Sequence, residues 1–234
     1  VPMQRLVQGD VGSGKTAIAI LALTKIVENG YQGALMAPTE VLAAQHFKTF
    51  QQVFKGMPIK TAYLSGHTKA AERKEILEQL KDGSIHILIG THALIEENVV
   101  FSALGLVITD EQHLFGVKQR QALESKGKSP HVLIMTATPI PRTMALSVYG
   151  DLDVSFIKGM PPGRHPVKTY VVGSHMLQRI FRFMKKEMES GHQAYVVCPL
   201  VEQSEKQDLA AAVSVYENLR DHVFPQFGVG LVHG

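Results

Sequence analysis

The sequence predicts an α/β fold, a parallel sheet sandwiched by helices, and three observations carry that prediction. Short apolar runs recur through the first two thirds of the chain, and stretches of helical character separate them. A glycine-rich turn, Gly9-Asp10-Val11-Gly12-Ser13-Gly14-Lys15-Thr16, joins the first run to the first helix. Continuous apolar runs suit strands buried on both faces, and helices between them suit parallel connections.

Taken in order, residues 5–8 are the first expected strand and residues 17–27 the helix after the turn. Further strands are expected at 34–37, 61–64, 85–89, 106–109 and 132–136, with helices at 41–54 and 70–80 to cover the sheet. Gly30, Gly56 and Gly83 each follow a helix and suit a left-handed C-terminal cap. From residue 158 the composition changes, with Pro161, Pro162 and Pro166 among Gly159 and Gly163. Residues 1–157 therefore read as one domain, 158–166 as a linker, and 167–234 as the opening of a second domain. That second part is expected to run strand 167–172, helix 176–189, strand 194–199, helix 208–220 and strand 229–233.

The chain has 234 residues, 45 % of them hydrophobic and 19 % charged, which describes an ordinary globular protein. A formal charge of +3 permits a polyanionic partner without demanding one. No apolar run reaches the ~18 residues of a membrane span and no secretory leader opens the chain, so a cytoplasmic protein without a membrane role is expected. The single cysteine, Cys198, excludes an internal disulfide, and its apolar neighbours suggest a buried strand thiol. The 11 histidines lack the spacing of a zinc site.

Gly9 to Thr16 fits the Gly-x-x-x-x-Gly-Lys-Thr phosphate loop, in the strand-then-helix context the chemistry needs. Its glycines let successive N–H groups face the β- and γ-phosphates, and the following helix points its positive end at them. Lys15 adds a charge and Thr16 a hydroxyl for Mg²⁺, so ATP and Mg²⁺ are the expected ligands. Later, an apolar strand ends in Asp110-Glu111-Gln112-His113, which places acids at the carboxyl end of a parallel strand. Asp110 suits the metal and Glu111 the attacking water. Three further segments follow strands: Pro38-Thr39-Glu40, Ser65-Gly66 and Gly90-Thr91-His92. Each alone fits an N-capped turn; three in series suggest contacts to the phosphates of a nucleic acid strand. Thr136-Ala137-Thr138 closes the sixth strand, where its hydroxyls could reach toward the acids.

This ordered set resembles the superfamily 2 helicases, and within them the RecG family. Gly9 to Thr16, Asp110 to His113, the Thr-Ala-Thr-Pro-Ile-Pro-Arg-Thr run at 136–143, residues 149–155, Pro161 to Arg164 and residues 195–205 carry the likeness. The resemblance implies a RecA-like first lobe with the start of a second, catalytic roles for Asp110, Glu111, Gln112 and His113, and coupling through Thr136 to Thr138. It implies ATP-driven strand separation on branched DNA at stalled forks and Holliday junctions. It further implies a monomeric, bacterial, nucleoid-associated protein with a single-strand-binding protein as a partner. Leu114 stands where that family is expected to carry arginine. The family's fork-splitting wedge and the arginines of its second lobe are not among these residues, so the chain alone is expected to bind ATP but unwind poorly. Two other readings stay open: a coupling-factor translocase on duplex DNA, and a nucleotide-dependent switch or binding module.

Overall fold

The fold was analysed in a computed structural model, which describes residues 1–110, 117–138, 152–159, 167–198 and 205–232. These residues divide into two compact units, Val1–His165 and Pro166–Gly234.

The first unit is a seven-stranded sheet in which every pairing is parallel. Its strands are β1 (Gln4–Gly9), β2 (Gln32–Met36), β3 (Thr61–Leu64), β4 (Ile87–Gly90), β5 (Leu104–Asp110), β6 (His131–Thr136) and β7 (Asp153–Ile157). They lie in the order β3-β4-β2-β5-β6-β1-β7. All six expected strands form, with ends shifted by a residue or a few.

Central strands are largely apolar because both their faces are covered. All five residues of β2 are buried. Leu35 faces a core built with Ala19, Leu23 and Phe50, whereas Ala34 and Met36 face one built with Ile76, Leu80, Leu94 and Leu123. Helices α1 (Lys15–Glu28) and α2 (Glu40–Val53) thus cover one face, and α3 (Ala70–Lys81) and α4 (Val117–Glu124) the other. Each large aliphatic side chain moved out of water contributes about 1.5–3 kcal/mol, so these two layers hold the helices on the sheet. Gly30, Gly56 and Gly83 follow α1, α2 and α3 with φ of 80°, 82° and 86°, the left-handed geometry the sequence predicts.

β7 is an element the sequence reading did not assign. It is an edge strand with no fully buried residue, so it lacks the continuous apolar signature. Its attachment to β1 is partly polar: Arg5 donates from Nη1 to Ser155 Oγ at 2.7 Å and from Nη2 to Asp153 Oδ2 at 3.0 Å.

In the second unit the expected helices form, as α5 (Leu177–Glu189) and α6 (Glu205–Asn218). The expected strands do not: residues 167–172, 194–198 and 229–232 take no regular structure. Parallel strands are stable only when hydrogen-bonded to neighbours and covered on both faces. Val171 is 100 % exposed and Val197 86 %, and neither segment has a ladder partner among the described residues. Cys198 is likewise exposed rather than a buried strand thiol, because the strand that would have buried it is absent. No helix among the described residues is long and apolar enough to cross a membrane.

Candidate nucleotide site and nucleic-acid face

The chain jumps from β1 across β6 and β5 to reach β2, and such a switch in strand order opens a crevice at the carboxyl edge of the sheet. The predicted site residues that the structure describes leave β1 to β6 at that edge. Gly9 ends β1 and Asp110 ends β5, with β6 and Thr136 between them. On the other side of β5, Met36 of β2 pairs with Gly90 of β4, and Gly90 pairs with Leu64 of β3. Residues 38–40, 65–66 and 90–92 therefore emerge side by side at one level.

The phosphate loop is a tight cup between β1 and α1. Gly12 and Gly14 adopt φ of 78° and 98°, which side chains rarely tolerate, and Gly14 is the N-cap of α1. A Cβ at Gly9 would stand 2.5 Å from Ser13 Oγ and 3.0 Å from Ile157 Cβ, so the loop closes over a glycine by necessity. The α1 N-terminus has no side-chain cap and no acid in its first turn. Its positive end is thereby kept for an anion. Lys15 Nζ donates to the carbonyls of Gly9 at 2.7 Å and Asp10 at 2.9 Å, and Asp10 Oδ1 accepts from the Val11 N–H at 2.7 Å. Thr16 lies in the first turn of α1, half-buried. Ser13 Oγ is buried without a hydrogen-bond partner. An orphaned hydroxyl, an uncapped helix and a cup too tight for a side chain fit the phosphates of a nucleotide.

Asp110 is half-buried, and its Oδ2 accepts from His46 Nε2 at 2.7 Å. His46 lies on the inner face of α2 with Ala43 and Phe50 and is buried. Sequence reasoning missed it; the available signal was a histidine interrupting an apolar stripe at helical spacing. Among the described residues no group of three or more His, Cys, Asp or Glu side chains could hold a metal by itself. A phosphate-loop metal needs fewer protein ligands, since phosphate oxygens and water complete its shell. Glu111, Gln112 and His113 lie outside the described residues. At the end of β6 the hydroxyls of Thr136 and Thr138 share a hydrogen bond of 2.9 Å, and Thr136 Oγ1 also accepts from the Thr138 N–H at 3.1 Å. Ala137 between them is half-buried.

The three segments beyond β2, β3 and β4 are built as turns. Thr39 is the N-cap of α2, its Oγ1 accepting from the Leu42 N–H at 3.3 Å. Pro38 precedes it, half-buried. Glu40 Oε1 accepts from His67 Nδ1 at 2.8 Å, which ties the first segment to the second. That bond holds the Glu40 carboxyl below its ordinary pKa and the His67 imidazole above its own. Ser65 Oγ accepts from the His67 N–H, while Gly66 is exposed. Gly90 is required by packing, since a Cβ there would stand 2.0 Å from the Leu64 carbonyl oxygen. Thr91 is buried and precedes a single turn of 3₁₀-helix (His92–Ile95), whose first residue, His92, is exposed.

The DEAD/DEAH box helicase family model matches residues 3–146. The ATP-dependent DNA helicase RecG of Bacillus subtilis is 53 % identical over 232 residues, covering 99 % of this chain and 34 % of that protein. RecG of Thermotoga maritima is 51 % identical over 233 residues, covering 100 % of this chain and 30 % of that protein. The chain thus spans about a third of the length of the curated relatives it matches. A solved structure of RecG bound to a three-way DNA junction superimposes with a TM-score of 0.77 at 46 % identity, over 95 % of this chain and 29 % of that one. The helicase MrfA bound to DNA and AMPPNP gives a TM-score of 0.61 at 16 % identity, over 80 % of this chain and 30 % of that one, a likeness of fold alone.

Proposed function

The chain belongs to the DEAD/DEAH box helicase family, and from that premise we propose that it carries the ATP-binding lobe of a RecG-type helicase acting on branched DNA. Residues 1–157 are read as the first RecA-like lobe, 158–166 as the linker and 167–234 as the start of the second. The observation that carries the proposal is the common carboxyl edge: the phosphate loop, Asp110 and the three turn segments leave one parallel sheet on the same side.

In this reading Gly9, Asp10, Val11, Gly12, Ser13 and Gly14 wrap the phosphates, and the Ser13 hydroxyl gains the partner it lacks. Lys15 leaves the carbonyls of Gly9 and Asp10 for the β- and γ-phosphate oxygens. Thr16 and Asp110 would hold Mg²⁺, which would supply charge neutralisation on the transferring phosphoryl group. Glu111 orients the attacking water, and Gln112 and His113 join that motif to the moving parts. Pro38, Thr39, Glu40, Ser65, Gly66, Gly90, Thr91 and His92 line the DNA path, with exposed Thr39 and His92 reaching phosphate oxygens. Thr136, Ala137 and Thr138 pass the nucleotide state to that path.

The whole protein is read as a monomer in the bacterial cytoplasm, associated with the nucleoid and meeting a single-strand-binding protein at forks. Relatives at about half identity over the whole chain are RecG helicases, and they favour neither the coupling-factor translocase nor the switch module. The test is ATP hydrolysis by the full-length protein with and without a three-way junction, scored beside strand separation. Strong stimulation with unwinding is expected. Hydrolysis indifferent to every DNA would sink the helicase reading and leave a nucleotide-binding module.

A further inference from the structure

The hydrogen bond between His46 and Asp110 joins the two halves of the proposed site, and we infer that His46 is a positioning residue which sets the Asp110 carboxylate and transmits the position of α2 to it. The inference rests on the roles proposed above for Asp110 and for the Pro38-Thr39-Glu40 segment. Three observations support it.

First, the contact is close and sheltered. The Nε2–Oδ2 distance is 2.7 Å, with 10 % of the His46 side chain and 13 % of the Asp110 side chain exposed. Facing a carboxylate, Nε2 carries the proton and donates. A donor fixed at one oxygen sets the rotation of the carboxylate about its Cβ–Cγ bond, which decides where its lone pairs point. Partners behind a metal ligand act in this way.

Second, His46 cannot easily turn away. Its ring lies in the row Ala43, His46 and Phe50 that seats α2 on the sheet, and Phe50 is fully buried in the core shared with Leu35 and Ile108. Strand β5 holds Asp110 from the other side, pairing it with Met135 of β6.

Third, the helix that carries His46 begins at the proposed DNA segment. Thr39 caps α2, and Glu40 in its first turn bonds to His67 beyond β3. From Thr39 to His46 is about two helical turns, roughly 10 Å of rise. A helix seated along its inner row moves as a body, so a shift imposed at Thr39 or Glu40 by DNA arrives at the Asp110 carboxylate. DNA binding thereby changes the orientation of the Asp110 carboxylate without a loop having to carry the signal.

The test compares His46→Gln with His46→Asn in the full-length protein. Both are polar amides of the kind a partly buried site accepts, but only the glutamine amide extends to the place of Nε2. Four quantities are read: the Mg²⁺ concentration needed for tight binding of a fluorescent ATP analogue without DNA, the affinity for that analogue without Mg²⁺, the ratio of junction-stimulated to basal hydrolysis, and the melting temperature. His46→Asn is expected to raise the Mg²⁺ requirement about tenfold or more. It should leave Mg²⁺-free nucleotide affinity and melting temperature near wild type, and lose more of the stimulated rate than of the basal rate. His46→Gln should stay near wild type in all four. An unchanged Mg²⁺ requirement in His46→Asn overturns the positioning role, as does equal damage in both variants or a loss that follows a lowered melting temperature. An unchanged stimulation ratio overturns the transmission through α2. If wild type itself ignores junction DNA, the helicase reading fails instead, and the Mg²⁺ titration still decides the positioning of Asp110.

Discussion

The phosphate loop and the three segments beyond β2, β3 and β4 leave the same edge of one sheet, yet they treat their polar groups in opposite ways. Around the loop, Ser13 Oγ is buried without a partner and α1 has no side-chain cap. Across β5, Thr39 caps its own helix, Glu40 bonds His67, and Ser65 closes its own turn. A buried polar group without a partner costs about 1–3 kcal/mol, so the loop holds an unmet demand that a ligand's oxygens can satisfy. The three segments hold no such demand. In the proposed DNA path, phosphates would have to compete with bonds already made, so each contact would add little and affinity would be a sum over many.

The first way to break this contrast is Lys15→Ala, which carries the largest expected effect. A hydrogen bond to a charged group contributes about 1.5–3 kcal/mol, so direct titration should show ATP affinity falling roughly ten- to a hundredfold. Thr91→Ala and His92→Ala should leave ATP affinity near wild type and lower junction-stimulated hydrolysis by only a few-fold. Lys15→Ala with wild-type affinity would refute the loop as a phosphate site. A His92 variant that abolished ATP binding would erase the distinction between the two regions.

The middle effect separates packing from contact within the proposed nucleic-acid face. A Cβ at Gly90 would collide with the Leu64 carbonyl, whereas one at Gly66 meets nothing within 4 Å. Gly90→Ala should cost about 1–3 kcal/mol in denaturant unfolding through overpacking. Gly66→Ala should stay within about 0.5 kcal/mol. If Gly66→Ala nonetheless weakens DNA binding, that glycine serves the DNA path; if it does not, Ser65-Gly66 is only a turn. Equal destabilisation by the two would contradict the geometry.

The same contrast explains what could be read from residue order. The phosphate loop was legible because its chemistry depends on spacing along the chain, and β1 to β6 because each carries a short, largely apolar run, unbroken in strands such as β2 and β4 that are buried on both faces. β7 was not, because an edge strand held through Arg5, Asp153 and Ser155 needs no such run. The segments around Val171 and Val197 have the apolar run without the neighbours, and remain unpaired and exposed. A strand is a property of the sheet around it as much as of its own residues. His46 was illegible for a related reason: its partner Asp110 lies 64 positions away and becomes adjacent only when α2 packs on the folded sheet.

The smallest effect is the pH dependence of the Glu40–His67 bond, which tests whether the nucleic-acid face is closed by its own charges. Glu40 is held below its ordinary pKa first by the hydrogen bond from His67, and His67 is raised first by the same bond. The signs differ for the two partners. The Glu40 contribution is present above the unfolded carboxyl's pKa and fades as pH falls through the folded one. The His67 contribution is full below the unfolded imidazole's pKa and fades as pH rises through the raised one. The pair is therefore tightest in the mildly acidic window between an ordinary glutamate and an ordinary histidine, and has largely opened once pH exceeds the raised His67 value. Both side chains are exposed, so the change in global stability should be slight. The clear readout is the NMR titration of the His67 ring, whose midpoint should fall in Glu40→Gln, since the amide keeps an acceptor but loses the charge. An unmoved midpoint would mean the two segments are not joined in solution, and that the proposed DNA path is built of separate turns.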